Sequence, residues 1–203
     1  MKQIAKLLAL SLTALLSAAA GAAGGGAGTA PANHVRLGLI HVTPGGGSIG
    51  DLLDSGVGAA FSIGREIRFG DGTHGLEVDY VELAHVKLKG EGTPYGFHMT
   101  GSLDMTPVLA SVRYSLKCGD RFSIAFGPSL GVTFAKGSTS VTPSDDDTVF
   151  TWALGATVSY AVSERVSIDA GYRHMRLSDI EYDLITITDP QADVFQLGVR
   201  FKW

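Results

Sequence analysis

Phe122–Ala135 reads FSIAFGPSLGVTFA, and its side chains sort by a period of two. Phe122, Ile124, Phe126, Pro128, Leu130, Val132 and Phe134 fall on one side, all apolar and mostly large. Ser123, Ala125, Gly127, Ser129, Gly131, Thr133 and Ala135 fall on the other, all small. A helix would scatter these two sets around its circumference, whereas a strand points successive side chains to opposite faces. The segment is therefore a strand with one large apolar face and one small face.

The same split recurs along the chain. In Phe150–Val162 the large face is Phe150, Trp152, Leu154, Ala156, Val158, Tyr160 and Val162. Val166, Ile168, Ala170 and Tyr172 alternate with Ser167, Asp169, Gly171 and Arg173. Phe195, Leu197, Val199, Phe201 and Trp203 alternate with Gln196, Gly198, Arg200 and Lys202. Four earlier segments, about His34–Val42, Gly56–Phe69, Leu76–Lys89 and Gly101–Leu116, bring the count to eight. The third loses its phase near Tyr80-Val81, the mark of a bulge or of a strand leaving the apolar zone. Pro107 and Pro128 each lack a ladder donor and disturb the local register. Short turns (70–75, 117–121, 163–165) alternate with long polar connections (near 43–55, 90–100, 136–148 and 177–192). Strict alternation of short and long links predicts an all-β, eight-stranded antiparallel up-and-down barrel.

The two faces decide which solvent the barrel meets. A soluble barrel carries long polar groups outside, but here one face is large and apolar and the other is mainly Gly, Ala, Ser and Thr. Small residues suit the cramped interior of eight strands, so the apolar face points out into lipid. Aromatics gather near the strand ends: Tyr114, Phe122, Tyr160, Phe201 and Trp203 by the short turns, and Phe134, Phe150, Trp152 and Phe195 by the long links. Two girdles at headgroup level account for them. The small face also carries Arg36, Glu77, Asp79, Arg113, Asp169, Arg173 and Arg200. Charges taken out of water need partners, so these seven are expected to form a paired network plugging the lumen.

Composition agrees with this assignment. The chain has 203 residues, of which 27 are glycine, with 45% hydrophobic residues and net charge −4. One cysteine, Cys118, excludes a disulfide scaffold. No basic stretch is present to neutralise phosphates, which argues against nucleic acid as a partner. Lys2 and Lys6, then the apolar run Leu7–Ala20 and small residues, have the form of a secretory signal peptide. The expected organisation is a signal peptide over 1–22, a Gly/Ala-rich spacer over 23–33 and the barrel domain over 34–203. No later run of 18 apolar residues offers a membrane-spanning helix.

The C-terminal FQLGVRFKW resembles the terminal assembly signal of Gram-negative outer-membrane barrels, with Phe195, Leu197, Val199, Phe201 and Trp203 as its alternating positions. Asp104-Met105-Thr106-Pro107-Val108 through Tyr114, and Gly171-Tyr172-Arg173-His174, are similar to strands of the small OmpA/OmpX/opacity-type superfamily. Val35-Arg36-Leu37-Gly38 with Val42-Thr43-Pro44 is similar to the first strand of the OmpW family. The resemblance covers residues 34–203. It implies export to the cell outer membrane, periplasmic short turns, exposed long loops and no cell-wall tether. It also implies outer-membrane lipid and lipopolysaccharide as surroundings, the barrel-assembly machinery as a partner in biogenesis, and an extracellular ligand as a partner for the loops. The expected role is structural or surface-interactive: envelope integrity, adhesion or antigen display. The alternatives are an OmpW-like path for small hydrophobic or cationic solutes and a lipid A-modifying hydrolase.

No catalytic site, metal site or cofactor is expected. Asp145-Asp146-Asp147, together with Asp179, Glu181, Asp183, Asp189 and Asp193, supply hard oxygen ligands but match no calcium-loop spacing. His174, Ser178 and Asp179 offer the residue types of a deacylase triad. Four residues along a strand span roughly 13 Å, too far for a His174–Ser178 hydrogen bond. His34, His41, His74, His85, His98 and His174 show no metal-ligand spacing. Cys118 is expected to be a free thiol, and Gly45-Gly46-Gly47 lacks the lysine of a phosphate loop.

Overall fold

The computed structural model describes residues 31–46, 53–92, 99–140, 144–182 and 185–203. The expected signal peptide and most of the expected spacer lie outside the described residues. Eight antiparallel strands close a barrel: β1 (Ala32–Gly45), β2 (Gly56–Phe69), β3 (His74–Gly92), β4 (Met99–Cys118), β5 (Phe122–Thr139), β6 (Asp145–Ala161), β7 (Val166–Leu177) and, after a small hairpin, β10 (Gln191–Lys202). Each pairs with its neighbour in the ring, and β1 pairs with β10 to complete it, His34 facing Lys202 and Gly45 facing Gln191. The hairpin between β7 and β10 consists of β8 (Ile180–Tyr182) and β9 (Ile185–Ile187), which pair only with each other.

Parity assigns the faces as the alternation predicts. Leu37, Leu39, Phe126, Leu154, Phe195 and Leu197 stand on the outside, about half exposed to the surroundings. The aromatic residues of both expected girdles that carry large exposure, such as Phe122 and Trp203 at one end and Phe134 and Phe150 at the other, also point outward. In water such a wall would be an aggregation surface; in lipid it is the matched solvent.

Two irregularities have physical causes. On β3, Asp79 pairs with Ser111 and Glu82 with Leu109, so Tyr80 and Val81 together oppose Ala110. This bulge turns the inner row from odd to even numbers, putting Glu77, Asp79, Glu82, Val86 and Leu88 all inside. The prolines sit where the ladder is interrupted. The β3–β4 register has a gap between Leu83↔Val108 and Val86↔Met105, which contains Pro107. The strand carrying Pro128 has a gap in its β4–β5 register nearby, between Ser111↔Ser129 and Tyr114↔Phe126. A residue with no N–H costs least where no ladder bond is made. The strands also run longer than the sequence pattern suggests: β3 continues past Lys89 to Gly92 and β4 begins before Gly101 at Met99, the two still pairing as Glu91↔Thr100 and Gly92↔Met99 beyond the apolar zone.

Small inner residues are required by strand approach as well as by lumen size. A Cβ on Gly131 would press into the Val108 carbonyl oxygen, and one on Gly127 into that of Val112, both far inside contact distance. Gly131→Val should therefore deplete the form that resists SDS and changes mobility on boiling, while Ser123→Ala on the same row should leave it intact. Equal SDS resistance in both variants would show that β4 and β5 can separate.

Candidate functional site in the barrel lumen

The lumen is filled in two chemically distinct halves. Toward the short turns it holds a continuous ion-pair network. Arg36 on β1 reaches Asp169 on β7 (Nε–Oδ2 2.6 Å), Asp79 on β3 (Nη1–Oδ2 3.1 Å) and Glu77 (Nη2–Oε2 3.4 Å). Arg200 on β10 donates to Glu77 (2.5 Å), Asp169 (2.8 Å) and the Ser159 hydroxyl (2.6 Å). Arg113 on β4 pairs with Asp79 and donates to Glu82 at 3.2 Å. Arg173 spans the lumen from β7 to Glu82 on β3 at 2.5 Å and donates to Gln196 at 2.9 Å. Below these, Lys202 and Arg68 both pair with Glu66. The carboxylates Glu77, Asp79 and Asp169 are at most 1% exposed.

Each of the seven charges named from the sequence lies on an inner row, and the structure brings all seven into this one network. It adds Glu66, Arg68, Glu82 and Lys202, and also His34, whose Nε2 lies 2.6 Å from Asp79 Oδ1. The bulge hides Glu82 from pattern reading, since simple alternation from Glu77 and Asp79 puts it outside. Glu66 and Arg68 are legible by parity from Ser62 and Gly64. Below the network a vestibule of about 630 Å³ opens at the short-turn end, lined by residues including Glu66, Arg68, Lys117, Arg121 and Lys202.

Toward the long loops the lumen is apolar, which differs from the small and polar interior expected. Ile40, Val42, Val86, Leu88, Leu103, Met105, Met175, Leu177 and Val194 are buried there as one cluster. Among the described residues the β8–β9 hairpin covers the mouth, with Ile180 and Ile187 opposite one another and 0% and 2% exposed. Small cavities remain among the described residues. One of about 30 Å³ lies where Met105 and Met175 meet Glu82 and Arg173, and one of about 20 Å³ lies under Ile180 and Ile187. Each has room for about a water molecule. On β5, β6, β7 and β10 the large residues of the alternating rows named from the sequence point outward as expected; on β1, β3 and β4, and at the loop ends of β7 and β10 through Met175, Leu177 and Val194, large apolar residues occupy the inner face as well.

The remaining candidates separate. His174 Nδ1 lies 2.9 Å from Asp193 Oδ1, which also accepts the Tyr172 hydroxyl at 2.7 Å. Asp179 instead accepts the Asp189 amide at 2.9 Å, and the Ser178 amide donates to the Phe150 carbonyl. The structure does not bring His174, Ser178 and Asp179 together. Asp145, Asp146 and Asp147 begin β6, and Asp147 accepts the Glu181 amide at 2.9 Å. Among the described residues no cluster of three or more side chains is arranged to hold a metal. His74 is bonded to the Tyr114 hydroxyl at 2.6 Å, and His85 to Thr106 at 3.1 Å. Cys118 is a free, exposed thiol, while His98 and Asp183 lie outside the described residues. The assembly-signal residues Phe195, Leu197, Phe201 and Trp203 line the outer face of β10 and the chain end beyond it.

A closed eight-stranded barrel with an apolar outer wall and a filled lumen defines a small membrane-spanning β-barrel. The chain belongs to the outer membrane protein beta-barrel domain family, whose model matches residues 7–202. Its location is accordingly the outer membrane, in contact with lipid. The fold is similar to that of Neisserial surface protein A (TM-score 0.58, 20% identity, 85% of this chain and 99% of that one). It is also similar to a major outer membrane protein of Thermus thermophilus (TM-score 0.57, 13% identity, 86% and 100%). A third likeness is to Ail, the attachment invasion locus protein of Yersinia pestis, in complex with the heparin analogue sucrose octasulfate (TM-score 0.54, 13% identity, 86% and 100%). No curated protein matches the chain by sequence.

Removing one member of the network leaves its partners charged and buried, which costs more than the pair itself contributes. Asp169→Asn, which deprives both Arg36 and Arg200, should lower stability by about 3 kcal/mol, read as an earlier urea midpoint in lipid vesicles. An unchanged midpoint would show that the arginines reach water at no cost.

Proposed function

We propose that the protein is a sealed, non-conducting outer-membrane barrel that acts through its loop end, in envelope structure or in contact with molecules outside the cell. One observation carries this reading: the ion-pair network spans the lumen from wall to wall, with Arg173 of β7 on Glu82 of β3 and Arg36 of β1 on Asp169 of β7. Eight strands leave an interior just wide enough for side chains, so a network of this extent leaves no aqueous path. The apolar half above it adds a second barrier to ions. The terminal row Phe195–Trp203 serves, in this reading, as the segment taken by the assembly machinery.

The sign of the loop end narrows the partner. Long loops of such barrels face outside and short turns face the periplasm. Residues 136–150 and 176–193 hold eight carboxylates, and only Lys136 and Arg176 as bases. Charge complementarity favours a cationic partner over a polyanion. The heparin analogue bound by Ail is therefore not carried over to this chain.

Conductance tests the sealed state. In planar bilayers the purified protein should give no stepwise current under an applied potential. Discrete steps would replace this reading with the solute-path alternative.

A further inference from the structure

The hairpin that closes the loop end is built unlike the rest of the barrel. β8 and β9 make no ladder with any barrel strand. Two backbone-donated bonds tie the hairpin and its approach to β6: the Ser178 amide to the Phe150 carbonyl, and the Glu181 amide to Asp147 Oδ2. What seats it is apolar. Ile180 and Ile187 descend into the cluster of Leu88, Leu103 and Leu177. Tyr182 lies on Gly137, where a Cβ would come within 2.8 Å of its ring. The chain returns from the hairpin through Asp189, a non-glycine residue at φ 47°.

Against that seat stands like charge. Asp145, Asp146 and Asp147 head β6, and the hairpin that leans on them carries Asp179, Glu181 and Asp189 in and beside its strands. The bases among them are outnumbered: Arg176 is 3.9 Å from Asp189, and Lys136 lies across the ladder from Asp146. The field of the β6 carboxylates reaches the hairpin. Burial first, then Asp147, Asp145 and Asp146, push the Tyr182 phenol up to about 12.

We propose that the β8–β9 hairpin is a lid over the apolar half of the lumen, held shut by Ile180, Ile187 and Tyr182 and loosened by repulsion between its carboxylates and those of β6, so that ionic strength sets how often it opens. Screening of exposed charges removes the opening force and leaves the apolar seat intact. The lid moves above the ion-pair network, so its opening and the sealed state of the lower lumen are separate properties.

The test is amide hydrogen exchange on the full chain folded in phosphatidylcholine vesicles. Exchange at Ile180, Glu181, Thr186 and Ile187 is compared with barrel amides such as Ala125 and Ala153. Measurements are made at about 10 mM salt, where the screening length is roughly 30 Å, and at about 1 M, where it is roughly 3 Å. The hairpin amides should exchange several-fold more slowly at high salt while the barrel amides do not change. In Asp146→Asn/Asp147→Asn/Glu181→Gln, where the amide oxygens can still accept the same bonds, exchange at low salt should be slower than in the wild type and should depend less on salt. Ile187→Ser should exchange fast at both. Equal wild-type exchange at the two salts would overturn the proposal. So would a salt dependence as large in that triple variant as in the wild type, since salt would then be acting on apolar burial. Full protection in Ile187→Ser would also overturn it, because the seat would not be apolar.

Discussion

Backbone amides in hydrocarbon have no water to bond to, and this constraint governs the structure. A single sheet can satisfy every amide only by meeting its own first strand, so β1 must pair with β10. Once the ring closes, every side chain is assigned to lipid or lumen by parity alone. The bulge at Tyr80-Val81 and the ladder gaps near Pro107 and Pro128 are departures that the closed ring absorbs, because the neighbouring pairs hold the register on both sides.

Closure at eight strands then creates the lumen problem. The enclosed space is too narrow for bulk water and too wide to be empty, so side chains must fill it. Charged groups fill it well only when every charge has opposite partners, which is why Glu77, Asp79 and Asp169 each meet two or more arginines. The apolar half solves the same problem without that requirement, but only where water is kept out. Ile180 and Ile187 keep it out at the mouth, so the hairpin and the apolar rows beneath it depend on each other.

The eight strands, their outward faces and the lumen placement of Arg36, Glu77, Asp79, Arg113, Asp169, Arg173 and Arg200 are legible in the sequence, because a period of two survives wherever one face meets a uniform solvent. Legibility fails where that uniformity ends. Glu82 is lost because the phase break at Tyr80-Val81 fits either a bulge or a strand leaving the apolar zone, and only the bulge turns Glu82 inward. The apolar inner rows Ile40–Val42, Val86–Leu88 and Leu103–Met105 are lost because the contrast reverses toward the long loops: His41, Lys87, Lys89, Ser102 and Asp104 face outward there and the apolar residues between them face the lumen. The β8–β9 hairpin, three residues per strand, is too short to show a period at all. Asp193, and not Asp179, partners His174 because cross-strand register decides that contact, and register lies beyond pattern reading.

The order of the two halves follows from what each can reach. The ion-pair network borders a vestibule open at the short-turn end, so Arg68 and Lys202, the partners of buried Glu66, keep part of their hydration and reduce the desolvation cost of the assembly. The apolar half borders a mouth covered by the β8–β9 hairpin. Had the halves been exchanged, the buried carboxylates would have lain directly beneath the acidic heads of β6 and the hairpin, adding like charge where little water screens it. The observed order separates the lumen carboxylates from Asp145–Asp147 by the thickness of the apolar cluster. The buried ion pairs of the lower half are thereby kept clear of the like charge gathered at the loop end.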